Sequence, residues 1–108
     1  MSSLVKKHWD YIHLLANTSS TQQRKVLLNT ITSNQFKAVS EIILNVVYLN
    51  IPVSKSSASK LKRHKKTVEV LADKRVGAHR RLETLKKNPK LVAALLQAAL
   101  PGLKTLLS

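Results

Sequence analysis

Along most of this chain apolar side chains recur at helical spacing, three or four residues apart, and that period points to an all-α fold. Val5, Trp9, Ile12 and Leu15 share a helical face, with Leu4 and Ala16 on the adjoining ones. The polar run Asn17-Thr18-Ser19-Ser20 ends this first helix, and Ser20-Thr21-Gln22-Gln23 reads as a capping box for the next: the Ser20 hydroxyl accepts a free backbone N–H while Gln23 reaches back. Val26, Leu27 and Ile31 form the apolar face of that short second helix. Thr32-Ser33-Asn34-Gln35 repeats the box. It opens a third stretch, Phe36, Val39, Ile42, Ile43, Val46, Val47 and Tyr48, apolar almost all round, as a central buried helix is. Its β-branched richness admits a strand as the minor alternative, and its length favours helix. Asn50-Ile51-Pro52 ends it.

A fourth helix is predicted from a cap at Ser54 to about Lys74, with Ala58, Leu61, Val68, Leu71 and Ala72 within about a third of its circumference. Gly77 breaks it. Residues 78–87 form a short helix with Leu82 and Leu85 inward, and Asn88-Pro89 opens a strongly apolar one over 91–100, with Asn as cap and Pro in the first turn. Pro101-Gly102 is expected to break that last helix. The predicted fold is all-α: a compact bundle of about five to six short helices, with a basic helical segment and an apolar C-terminal helix. It divides into a hydrophobic platform (1–54), a basic segment (55–90) and an apolar helix and tail (91–108), within one continuous domain. Aromatic residues make up 4% of the chain, so the core is aliphatic, with Trp9, Tyr11, Phe36 and Tyr48 as its few large fillers.

Charge follows the same borders. The net charge is +14, from 19 Lys and Arg against five Asp and Glu. Residues 55–90 hold thirteen basic and three acidic side chains, a net of +10, against +3 before them and +1 after. Lys60-Leu61-Lys62-Arg63-His64-Lys65-Lys66 places five fixed charges in seven residues, and Lys74-Arg75, Arg80-Arg81, Lys86-Lys87 and Lys90 follow. A solvated helix face normally mixes signs. An unbalanced excess repels itself and calls for a polyanion, either nucleic acid or an anionic membrane surface. Lys60, Lys62, Arg63, Lys65, Lys66, Lys74, Arg75, Arg80, Arg81, Lys86 and Lys87 are the expected phosphate contacts, since Arg bridges two phosphate oxygens and Lys is a compact point charge. Such contacts carry affinity without sequence information. No aromatic lies between residues 49 and 108 to stack single-stranded bases, which favours duplex DNA as the partner. Lys60–Lys66 also reads as a nuclear localisation signal, which would place the chain in a nucleus.

Other chemistry finds little support. There are no cysteines for disulfides or thiolate zinc sites, which suits a reducing interior. His8, His13, His64 and His79 lack metal-ligand spacing. Five acids are few for a carboxylate site, and Glu69 with Asp73, four apart, read as ion-paired with neighbouring lysines. Two glycines make no phosphate loop. No enzyme and no cofactor is expected. Residues 1–4 lack the apolar stretch of a signal peptide, and no run is long and apolar enough for a membrane span.

The order Asn50-Ile51-Pro52, Lys60-Leu61-Lys62-Arg63-His64-Lys65-Lys66, Leu71-Ala72-Asp73-Lys74-Arg75-Val76, Arg80-Arg81-Leu82 and an apolar tail, preceded by Gln22-Gln23-Arg24-Lys25-Val26-Leu27-Leu28, resembles a family of short basic proteins of adintoviruses and Polinton (Maverick) elements. The likeness covers most of residues 14–101 through order and spacing rather than a diagnostic motif. It implies a virus-type origin and, by analogy with adenoviruses, a small core protein that compacts a packaged genome. One departure is the alanine-rich Ala93-Ala94-Leu95-Leu96-Gln97-Ala98-Ala99, where glycine and bulkier apolar residues are expected.

The expected function is therefore non-enzymatic, sequence-independent DNA binding. Its rivals are a membrane-active or capsid-associated virion protein working through Leu91–Leu107, an adaptor docking an acidic partner, and a sequence-specific repressor. A homo-oligomer is compatible with all of them.

Overall fold

The computed structural model describes residues 3–48, 51 and 53–107, and the side chains as far as Lys104; every regular element among them is an α-helix. In chain order these are α1 (Ser3–Lys7), α2 (Trp9–Asn17), α3 (Thr21–Asn29), α4 (Ser33–Val47), α5 (Lys55–Arg63), α6 (Lys65–Ala72), α7 (Ala78–Lys87) and α8 (Pro89–Leu107). The all-α expectation holds. The helix count does not: eight segments replace five to six, because two expected helices are each broken once, both at a histidine.

His8, between α1 and α2, has φ −105° and ψ 24°, and His64, between α5 and α6, has φ −112° and ψ 29°. Both lie in the sparsely populated bridge region. The breaks redirect the chain. α1 packs on α4 while α2 packs chiefly on α8; α5 packs on α8 while α6 packs on α4 and α7. Unbroken over residues 55–72, α5 and α6 would extend about 27 Å, nearly the full 29 Å breadth of the molecule, and could not turn from one neighbour to the other. Like-charge pairs such as Lys62–Lys65 and Lys62–Lys66 weaken a continuous helix here by a few tenths of a kcal/mol each, which makes this a cheap place to break. The first break carries its own cost, since His8 Nε2 is buried without a hydrogen-bond partner.

The caps follow the sequence in part. At α4 the box is complete: Gln35 N–H donates to Thr32 Oγ1 (3.1 Å) and Thr32 N–H donates to Gln35 Oε1 (2.9 Å). Ser54 caps α5 by accepting from Ser57 N–H at 3.2 Å. At α3 only half of the box forms. Ser20 accepts from Gln23 N–H at 3.1 Å, but the Gln23 side chain accepts instead from the Thr18 hydroxyl at 2.7 Å. α6 stops at Ala72, ahead of Gly77, because Asp73 accepts from the Arg75 N–H at 2.9 Å and draws the backbone into a turn. α4 ends at Val47; Asn50 and Pro52, expected to end it, lie outside the described residues.

Among the described residues, twenty-one buried aliphatic side chains form one core cluster reaching from Val5 to Leu103 and drawing on α1, α2, α3, α4, α6, α7 and α8. The large fillers are Ile, Leu and Val, since Trp9, Tyr11 and Phe36 are only half-buried and Tyr48 is 64% exposed. On α3 the inward residue is Leu28, with Leu27 and Ile31 beside it, whereas Val26 stands 52% exposed. α8 runs straight through Pro101. A proline inside a helix costs about 3 kcal/mol, and burying Leu103 completely returns about 1.5–3 kcal/mol. Val92, Leu95, Leu96, Ala99 and Leu103 thus form one unbroken inward stripe.

Polar contacts also tie the helices together. The Gln97 side-chain amide donates to Ala16 O at 2.7 Å, capping the last turn of α2 from α8. Replacing Gln97 with Ala is expected to cost about 1 kcal/mol, measured by urea unfolding. The Tyr11 hydroxyl donates to Leu27 O at 2.8 Å, linking α2 to α3. Burial pushes its phenol well above the ordinary tyrosine range. The folded state therefore holds the proton more tightly than the unfolded chain does. This stabilisation is complete below the unfolded value of about 10 and is lost as pH rises above it. Tyr11→Phe should flatten that alkaline limb in a thermal-melt series, and an unchanged limb would refute the assignment.

Candidate nucleic-acid interface

The run Lys60–Lys66 is one cluster in sequence and two rows in space. Lys60, Arg63 and His64 are three and four residues apart, so they share one edge of α5. Lys62 and Lys65 fall on the other side, rimming an apolar groove against Val46 and Val47 of α4, with Val53, Ala58, Leu61 and Val68 in its wall.

The first row meets a second basic element from far along the chain. α7 ends at Lys87 and α8 begins at Pro89, leaving Asn88 alone as the connection. A residue before proline is kept out of the helical region, and Asn88 takes φ −128° and ψ 57°. Its amide donates to Thr84 O at 2.8 Å, closing α7. Asn88 stands at the N-cap position of α8 as expected, its carbonyl accepting from Val92 N–H at 3.0 Å, while its side-chain amide turns back to α7. This one-residue turn sets Lys87 and Lys90 on either side of Pro89. Together with Lys60, Arg63 and His64 they line an open cleft of about 480 Å³, floored by Pro89, Leu91 and Ala94. No acidic side chain lines it. Lys60, Arg63, Lys87 and Lys90 form no ion pair among the described residues.

The other expected contacts are distributed elsewhere. Arg75, with its side chain 91% exposed, makes two bonds to Asp73, Nε to Oδ1 at 3.0 Å and Nη2 to Oδ2 at 3.1 Å. That guanidinium holds the Asp73 carboxyl below its usual range. Asp73 therefore pairs with Arg75, the residue two positions on, and not with the lysines around Glu69. Arg81 lies over the Phe36 ring, 5.6 Å from its centroid, and its Nε donates to Val76 O at 3.2 Å, so its stem and head are engaged within the fold. Lys86 is half-buried. Lys60, Lys62, Arg63, Lys65, Lys66, Lys74, Arg80 and Lys87 remain, all exposed: eight of the eleven. Lys90 was counted in the basic excess without being named as a contact. Its position directly after an Asn-Pro helix start is the signal that marks it.

Among the described residues no group of three His, Asp or Glu side chains stands close enough to hold a metal, and no helix is long and apolar enough to cross a membrane. Comparison of this chain with protein-family models, curated proteins and solved structures yields no match.

Proposed function

We propose that this chain is a non-enzymatic nucleic-acid-binding protein that holds duplex DNA through its phosphates, without reading sequence, as a genome-condensing protein of a virus or virus-derived element does. The observation that carries the reading is the cleft: cations from residues 60–63 and 87–90 converge on one concavity with no carboxylate to neutralise them. Converging like charges cost free energy in the folded state, and a polyphosphate offsets that cost by releasing its own condensed counterions. The exposed Lys60–Lys66 run fits nuclear delivery of such a protein.

The membrane reading has less to support it, because α8 buries its apolar stripe inside the core and leaves Gln97 engaged with α2. The experiment is a titration of random-sequence duplex followed by fluorescence anisotropy at low salt. Saturable binding indifferent to sequence is the expected result; no binding to any duplex would sink the proposal.

A further inference from the structure

Resting on that reading, we infer that the cleft between α5 and the α7–α8 turn is the seat of a single phosphodiester strand, with Lys60, Arg63, Lys87 and Lys90 gripping its phosphates. The remaining cations act from a distance, as a diffuse field. Three features converge on this assignment. The two cationic walls are fixed by different causes: helical period aligns Lys60 with Arg63, and the Asn88 turn, held by its bond to Thr84 O, orients Lys87 and Lys90. Among the described residues the four cations form no ion pair or ring contact, unlike Arg75 and Arg81. The floor of Pro89, Leu91 and Ala94 is aliphatic. A ligand matching the cleft therefore carries anionic oxygens at its edge and a less polar body between them, which describes a sugar-phosphate backbone. Among the described residues no Phe, Tyr or Trp lines the cleft, and its one aromatic ring is His64, at the end of α5. No stacking platform therefore runs along it, and the bases are left outside. A concave seat of this size takes one strand, either free or the outward backbone ridge of a duplex.

The test compares two quadruple variants that remove equal charge. The first is Lys60→Gln, Arg63→Gln, Lys87→Gln and Lys90→Gln; the second is Lys62→Gln, Lys66→Gln, Lys74→Gln and Arg80→Gln, outside the cleft. Anisotropy titrations with a 20-base-pair random duplex are run for both and for the unaltered chain across a salt series. The cleft variant should lose about 3 to 4 from the log–log salt slope and bind at least about tenfold more weakly than the second variant. Equal losses in the two would overturn the seat while leaving nucleic-acid binding intact. Failure of the unaltered chain to bind would overturn the functional reading itself. Should the cleft variant not fold, ¹⁵N chemical shifts of the unaltered chain decide the matter. On titration with oligo-thymidylate they should move first at the amides of Lys90, Leu91 and Ala94, and perturbations spread evenly over all basic residues would refute the seat.

Discussion

Replacing Leu96 with Ala is expected to lower the unfolding free energy by about 3 kcal/mol, because it deletes three carbons from a closed site and leaves a cavity. Leu96 is fully buried on α8, the helix that packs against α2, α3, α4, α5 and α7. A domain of this size has about 5–15 kcal/mol in hand, so the loss is a large share and should depress the melting temperature by about 10–20 °C. Val26→Ala is the matched control. Val26 stands 52% exposed, and its truncation should change stability by no more than about 0.5 kcal/mol. Guanidinium unfolding of the two variants measures both. Similar losses would mean that α8 is not the inner helix described above, and its apolar surface would again be free for a membrane or a partner.

Affinity for duplex DNA should collapse with salt. Eight expected contacts are exposed with no ion pair among the described residues, and engaging all eight gives a log–log slope of about −7; four cleft cations alone give about −3.6. Between 50 and 200 mM salt, slopes in that range correspond to a loss of about a hundred- to ten-thousand-fold. Measured values should lie between the two limits, because the exposed cations sit on more than one side of a molecule 29 Å across, and a single duplex does not reach them all. A slope near zero would remove the electrostatic basis of the proposed function.

What was legible in the sequence follows from local physics. The helical class, the Thr32 box, the Ser54 cap and the aliphatic character of the core depend on spacing and on side-chain chemistry within a few residues, and they stand in the structure as read. So does the concentration of charge in residues 55–90, which composition alone establishes. Tertiary packing decided the rest. The breaks at His8 and His64 serve neighbours that lie far along the chain. Pro101 is overridden because burying Leu103 roughly matches its cost, and Gln97, a polar residue on an apolar helix, finds its partner 81 residues away in Ala16. Above all, a linear run of lysines and arginines carries no direction. Helical phase and the Asn88 turn bring Lys60 and Arg63 together with Lys87 and Lys90, send Lys62 and Lys65 to another side, and engage Arg75 and Arg81 within the fold. Charge is an additive property of residues, whereas a binding site is a matter of which charges face the same point in space.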